Sequence, residues 1–187
     1  MVNKNLKIRL IGAGGHGILT LGMILGETAI KMGLEASMTI GYSPAQRGGW
    51  SRADVIISDG KIDYPIFTDP DILIATTQET YDLEYGNVRR GGLIIYESSL
   101  VEPKDIEDVR QIGINAIENA IKLGNRIVAN IIILGFFNEL TKTFPEELVE
   151  SVVASRVKKK YVDLNLKALK LGKEMAYEYV GKGVMKE

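Results

Sequence analysis

A run of glycines near the N-terminus is the first stretch whose residue types could bind a ligand. It reads Gly12-Ala-Gly14-Gly15-His16-Gly17, which satisfies G-x-G-x-x-G, and it joins a predicted strand to a predicted helix. Glycines here permit a tight turn and let backbone N–H groups approach a phosphate at the positive end of the helix. The acidic residue that would hold a ribose after the second strand is missing. A phosphate-binding loop and a tight turn that binds nothing are both open interpretations.

A second candidate stretch lies about thirty residues further on and combines two arginines with a Gly-Gly pair. It reads Arg47-Gly48-Gly49-Trp50-Ser51-Arg52. The planar guanidinium group suits phosphate or carboxylate, and neighbouring glycines let backbone amides join it. We predict that this segment lines a site for an anionic cofactor, with Trp50 as a pocket wall or an interface hot spot.

Simpler structural roles are open for the same residues. Arg52 would then pair only with Asp54 or Asp59, and Trp50 would belong to the core. His16 is the only histidine, so it is either a general acid or base or a solvent-facing or capping residue. Because there is no second histidine, a metal site at His16 would need carboxylates alone to complete it, and we predict neither a metal site nor a catalytic residue in this chain.

The composition excludes several classes of protein. Net charge is -1, which argues against a dedicated nucleic-acid binder, and the absence of cysteine rules out disulfides and cysteine-held iron–sulfur clusters in this chain. The N-terminus lacks the apolar core of a signal peptide, and the longest apolar-rich run, 127–137, is too short to span a bilayer. We expect a cytoplasmic protein with no membrane partner.

Strands and helices that would position these residues alternate through the first two thirds of the chain, and helices follow. This order predicts a three-layer, Rossmann-like α/β domain over 1–187, with a mixed, mostly parallel sheet and a helical part at about 116–180. Two glycines of the first helix, Gly22 and Gly26, are expected to let it approach the sheet closely. We predict strands at 6–11, within 35–41, at 53–58, at 61–64 after an Asp59-Gly60 turn, at 72–75 and at 93–97. We predict helices at 18–32, 78–88, 116–123 and 131–140, a helix from a Thr143–Glu146 capping box to about 157, and a last helix around 166–179.

Taken together, the two glycine-bearing motifs resemble the gamma subunit of 2-oxoacid:ferredoxin oxidoreductases, most closely the 2-oxoglutarate (KorC-like) type. The family's glycine loop usually reads Gly-Gly-Gln-Gly, whereas this chain has His16 in the glutamine position. The similarity extends, in order, over nearly the whole chain. The residues that carry it are 12–17, 42–49 with Ser51 and Arg52, 55–59, 62–65, 129–131, 134–135, 165–168 and 171–172.

The resemblance implies a non-autonomous subunit of an enzyme that oxidatively decarboxylates a 2-oxoacid to its acyl-CoA and reduces ferredoxin. Thiamine diphosphate and iron–sulfur clusters would lie on partner subunits of alpha, beta and possibly delta type. Coenzyme A would bind at a subunit interface, with the glycine loop and Arg47 as phosphate contacts. Three alternatives stay open: the small subunit of an indolepyruvate oxidoreductase, a free-standing NAD(P)- or FAD-binding oxidoreductase, and a non-catalytic assembly module with an empty glycine loop.

Overall fold

The computed structural model describes residues 5–44 and 49–181, which fall into two compact units, Met1–Asn115 and Ala116–Glu187. The first unit holds a six-stranded sheet with two helices, and the second is helical. The prediction of a single domain over 1–187 stays a prediction. The strands are β1 Leu6–Ala13, β2 Glu35–Tyr42, β3 Trp50–Ser58, β4 Ile72–Ala75, β5 Leu93–Glu97 and β6 Arg110–Ile114; the helices are α1 Ile18–Lys31, α2 Gln78–Glu84, α3 Ala116–Lys122, α4 Ala129–Thr141, α5 Glu146–Arg156 and α6 Val162–Gly181.

The sheet has the strand order β2-β3-β1-β4-β5-β6 and is mixed. The pairs β1–β4, β4–β5 and β5–β6 are parallel, whereas β3 runs antiparallel to both of its neighbours. The expected α/β fold with a mixed, mostly parallel sheet is therefore confirmed. Its antiparallel part, however, consists of the β2–β3 and β1–β3 pairs, and 61–64 form no strand.

Helices α1 and α2 cover opposite faces of the sheet. A Cβ atom placed on Gly22 of α1 would lie 2.8 Å from the Cβ of Ala53 in β3, so α1 packs on the face to which Ala53 points. The next residue, Asp54, points to the opposite face, together with its cross-strand partner Arg9. There Arg9 donates a hydrogen bond to Glu84 of α2 at 2.7 Å. The first unit thus has the expected three layers.

Strand β1 is less apolar than a buried strand because it carries a buried ion pair. Arg9 is 4% exposed, and its guanidinium donates to both carboxylate oxygens of Asp54 at 2.8 Å, to Glu84, and to the carbonyl oxygen of Phe67 at 3.0 Å. Burial lowers the pKa of Arg9, but the hydrogen bonds and charges of the two carboxylates outweigh that effect and hold the pKa above its usual value. Arg9 therefore ties β1, β3 and α2 together as a permanent cation.

The second unit is built around a close contact between α4 and α6. A Cβ on Gly135 would lie 2.0 Å from the carbonyl oxygen of Leu169, and one on Gly172 would lie 2.0 Å from that of Ile132. Only glycine allows the two helix backbones to come this near. In the described part of the chain, no helix is both long and apolar enough to cross a bilayer.

Two further local predictions are wrong and one strand was not predicted, each for a physical reason. The expected capping box at Thr143 does not form: α5 begins after Pro145, and the Thr143 hydroxyl instead lies 2.7 Å from that of Thr141. The sixth strand, β6, was not predicted because its five residues begin with the polar Arg110 and Gln111 and are interrupted by Gly113. Gly26 does not serve close packing, since a Cβ there would meet nothing within 4 Å.

Candidate functional site

The carboxyl ends of β1 and β4 form the candidate site. These strands are parallel neighbours, yet the chain leaves β1 for α1 on one face and leaves β4 for α2 on the other. In open α/β sheets, ligands bind in the crevice outside the strand ends at such a switch point. The glycine loop 12–17 follows β1, and Thr76 and Thr77 follow β4, so both lie at this crevice.

The glycine loop makes a tight turn that only glycine accommodates. Gly12 is buried, and a Cβ on it would lie 2.0 Å from the Thr76 hydroxyl oxygen. Gly15 and Gly17 have φ angles of +88° and +73°, in the left-handed region that side chains disfavour. Gly17 is the N-cap of α1, with no side-chain cap and no acidic residue in the first helical turn. The first turn of α1 therefore supplies no carboxylate of its own to the positive end of the helix.

The two glycine-bearing motifs meet directly. Gly14 donates its backbone N–H to the carbonyl oxygen of Gly49 at 2.9 Å, and Ala13 pairs with Trp50 where β1 ends and β3 begins. A Cβ on Gly14 would lie 3.3 Å from the same Gly49 oxygen, so the glycine at position 14 keeps the approach close. Residues 13–14 and 49–50, more than thirty positions apart in sequence, are thus joined through their backbones.

His16 is held over the end of β4. Its Nδ1 lies 2.8 Å from the hydroxyl oxygen of Thr76, and its side chain is half-buried. The general acid or base role and the structural role both remain predictions. Thr76, 4% exposed, was missed from the sequence; the available signal was a polar residue placed directly after the apolar strand 72–75.

Arg52 is engaged with acidic side chains of the first unit. Its guanidinium lies 3.7 Å from Asp54 and 3.3 Å from Glu84, and the side chain is 33% exposed. Of the two predicted structural partners, Asp54 pairs with Arg52. The second partner in the structure is Glu84 instead of Asp59. A Cβ on Gly41 would lie 3.3 Å from the Arg52 Nε, so Gly41 leaves room for this side chain on the edge strand.

Trp50 is half-buried and packs against a cluster of core residues on the α2 face, among them Ile11, Leu73 and Tyr81. The neighbouring Ser51 pairs with Gly12 across the β1–β3 ladder. Most of the predicted site thus lies at or beside the end of the sheet where β1 finishes and β3 begins. These residues are Gly12, Gly14, Gly15, His16, Gly17, Gly49, Trp50, Ser51 and Arg52. Arg47 and Gly48 lie outside the described residues, and their roles stay predictions.

Comparison with known proteins shows relatives over nearly the whole chain. The profile of the pyruvate ferredoxin/flavodoxin oxidoreductase family matches residues 7–175. The 2-oxoglutarate synthase subunit KorC of Methanocaldococcus jannaschii is 37% identical over 183 residues, which are 95% of this chain and 97% of that protein. The indolepyruvate oxidoreductase subunit IorB of Archaeoglobus fulgidus is 29% identical over 194 residues, covering 91% of this chain and 95% of its own.

Some relatives are much longer. The ketoisovalerate oxidoreductase subunit VorA of Methanothermobacter marburgensis is 33% identical over 176 residues, which are 92% of this chain but 37% of VorA. The chain thus spans little more than a third of that relative.

Solved structures have the same fold. The gamma subunit of keto/oxoacid ferredoxin oxidoreductase from Geobacter sulfurreducens superposes with a TM-score of 0.82 at 37% identity, covering 92% of this chain and 99% of its own. The 2-oxoglutarate:ferredoxin oxidoreductase of Magnetococcus marinus, solved with 2-oxoglutarate, coenzyme A and succinyl-CoA bound, gives 0.86 at 25% identity; the match covers 94% of this chain and 32% of that one. The chain therefore belongs to the pyruvate ferredoxin/flavodoxin oxidoreductase family, as a gamma subunit of the 2-oxoacid ferredoxin oxidoreductase type.

Proposed function

We propose that this chain serves a cytoplasmic 2-oxoglutarate:ferredoxin oxidoreductase and that its glycine loop binds the phosphates of coenzyme A. In the reaction, the substrate carboxyl group leaves as CO₂ and the acyl group is transferred to the sulfur of coenzyme A. The thiol proton is released, and an electron pair passes to ferredoxin. Partner subunits of alpha, beta and possibly delta type would hold the thiamine diphosphate and the iron–sulfur clusters, for which this chain offers no cysteine.

The choice of 2-oxoglutarate rests on relatives of similar length. KorC of Methanocaldococcus jannaschii is 37% identical and almost entirely covered, whereas the indolepyruvate subunit IorB of Archaeoglobus fulgidus is 29% identical. The Magnetococcus marinus protein, solved with 2-oxoglutarate and coenzyme A, shares the fold.

The observation that carries the coenzyme A site is the hydrogen bond from Gly14 to Gly49. It joins the glycine loop to Gly49, which directly precedes β3, at the switch point, beside the first turn of α1, which carries no acidic residue. Backbone N–H groups there and the guanidinium of Arg47 are suited to a diphosphate. Gly12, Gly15, Gly17, Gly48 and Ser51 would shape the crevice. His16 would stand at its edge, Arg52 would add positive charge, and Trp50 would form its wall.

Substrate preference is tested on the complex assembled from this chain and its partner subunits. The kcat/KM values for 2-oxoglutarate, pyruvate, 2-oxoisovalerate and indolepyruvate should rank 2-oxoglutarate first. A higher value for any of the other three acids would overturn the substrate assignment without touching the coenzyme A site.

The coenzyme A site is tested with Arg47→Ala in the same complex. Removing one charge-assisted phosphate contact costs about 1.5–3 kcal/mol, so KM for coenzyme A should rise by about tenfold or more. The KM for the 2-oxoacid should stay unchanged. Arg90→Ala is the matched control, because Arg90 is exposed and lies 3.9 Å from its partner Asp108, away from the crevice. An unchanged KM for coenzyme A in the Arg47 variant would favour an assembly module with an empty glycine loop.

A further inference from the structure

We propose that the outer side of α1 and the adjoining edge strand β2 form the surface that binds a partner subunit. This α1/β2 patch consists of Met23, Ile30, Met32, Ile40 and Tyr42. The inference rests on the proposed function, because it requires that the chain works inside a complex. Its occupant is the polypeptide equivalent to the remaining two thirds of the longer relatives.

All five patch residues are large, apolar and exposed. Their exposed fractions are 39% for Met23, 61% for Ile30, 41% for Met32, 55% for Ile40 and 63% for Tyr42. Ile40 pairs with Ala53, the residue that Gly22 of α1 approaches, so Ile40 and Tyr42 lie on the α1 face of the sheet. Met38 lies on the same face and would contact a Cβ on Gly22 at 3.1 Å, which connects the strand residues to the helix.

The patch carries little net charge. The only charged residues in the sequence of α1 are Glu27 and Lys31, and their side chains form an ion pair at 3.2 Å. A charge-poor apolar centre is typical of surfaces buried between subunits.

Gly26 adds an independent observation on the same helix. A Cβ there would meet nothing within 4 Å, so internal packing does not require glycine. Glycine within a helix costs about 1 kcal/mol relative to alanine. A partner backbone that approaches α1 closely between Met23 and Ile30 gives this glycine a function.

Strand β2 leaves its outer edge open. It has eight residues, pairs only with β3 within the described part of the chain, and contains no lysine, arginine or proline. Proteins normally protect such edges with these residues or by shortening the strand. The opposite edge strand, β6, has five residues and begins with Arg110. The unprotected edge of β2 therefore fits burial in a complex.

The longer relatives identify the occupant. The matching region makes up 37% of VorA of Methanothermobacter marburgensis and 32% of the Magnetococcus marinus chain, but 97% of KorC of Methanocaldococcus jannaschii. Modules joined in one chain in some relatives are expected to contact each other when they are separate chains. Tyr42 of the patch directly precedes the β2–β3 connection in sequence, and that connection leads to Gly49 and Trp50 of the candidate site. A partner seated on it would adjoin the coenzyme A crevice.

The test compares two double variants of the full chain, each co-expressed with the partner subunits. Ile30→Lys with Ile40→Lys alters the patch. Ile121→Lys with Ile127→Lys is the matched control, because these isoleucines are 57% and 65% exposed and belong to the second unit. Assembly is measured by size-exclusion chromatography with light scattering and by titration of the isolated subunits. Thermal melting of each isolated variant checks that the chain still folds.

We expect the patch variant to melt like the wild type and to bind its partners at least about tenfold more weakly, with the control unaffected. Full assembly of the patch variant, or an equal loss in the control, would overturn the patch while leaving the proposed function intact. Dimerisation of the isolated wild type that the patch variant abolishes would assign the surface to a second copy and overturn the stated occupant. A wild-type chain that joins no partner would overturn the proposed function, and the occupant with it.

Discussion

Substitution of Gly12 by alanine tests the geometry of the candidate site most sharply. The new Cβ would lie 2.0 Å from the Thr76 hydroxyl oxygen and 3.0 Å from the Cδ1 of Ile18. Thr76 is buried and β-branched, so it has little room to move away. The clash would also separate this hydroxyl from the Nδ1 of His16.

The expected cost combines two effects. Overpacking of a close-packed region costs about 1–3 kcal/mol, and loss of the Thr76–His16 contact adds about 1 kcal/mol. We therefore expect Gly12→Ala to lower the free energy of unfolding by about 2–4 kcal/mol. Thr76→Ala alone should cost about 1 kcal/mol, because it removes the contact with His16 without creating a clash.

A double-mutant cycle isolates the clash. The double variant lacks the Thr76 hydroxyl, so it should be at least about 1 kcal/mol more stable than Gly12→Ala alone. The free energies are measured by urea unfolding of the isolated chain, followed by circular dichroism. If the costs of the two single changes simply add, the contact between Gly12 and Thr76 does not limit this site and the reasoning is refuted.

Three further predictions concern stability and are read from the same urea titrations. Gly26→Ala should stabilise the isolated chain by about 0.5–1 kcal/mol, because alanine has the higher helix propensity and its Cβ meets nothing. Gly22→Ala on the same helix should destabilise the chain by about 1–3 kcal/mol, because its Cβ would clash with Ala53. Equal effects of the two changes would contradict the assigned helix face. Gly135→Ala should cost about 3 kcal/mol or more, because its Cβ would meet the backbone of α6; a cost below about 1 kcal/mol would mean that α4 and α6 are further apart. Glu84→Gln should cost about 3 kcal/mol, since it leaves the buried Arg9 with one carboxylate instead of two; a neutral result would mean that water reaches this ion pair.

Much of the fold follows from local sequence patterns. The apolar spacing of 18–32 predicted α1 almost to its ends, and the runs 72–75 and 93–97 predicted β4 and β5. These elements were accessible because each has a single clear period or an uninterrupted apolar run.

The elements that were misjudged depend on tertiary contacts. Asp59-Gly60 has the composition of a hairpin turn, yet both antiparallel partners of β3, β1 and β2, precede it in sequence. β6 contains the polar Arg110 and Gln111 and is stabilised as a strand by pairing with β5. Neither pairing leaves a trace in the local pattern.

The candidate site could be predicted in its parts but not in its assembly. The glycine loop and the Arg-Gly-Gly segment stand out by composition, whereas their contact through Gly14 and Gly49 depends on the antiparallel β1–β3 pairing. Thr76, Arg9 and Glu84 were missed because a threonine after a strand and charged residues in amphipathic elements are common in any sequence.

We propose that coenzyme A binds where Gly14 of the glycine loop meets Gly49, which precedes β3. Hydrogen–deuterium exchange of the assembled complex, with and without coenzyme A, tests it most directly. We expect slower amide exchange on coenzyme A binding in residues 12–17 and 43–52, and no change in α5, which spans Glu146–Arg156 in the second unit. Unchanged exchange in both loops, with protection confined to other segments or subunits, would show that coenzyme A binds elsewhere in the complex.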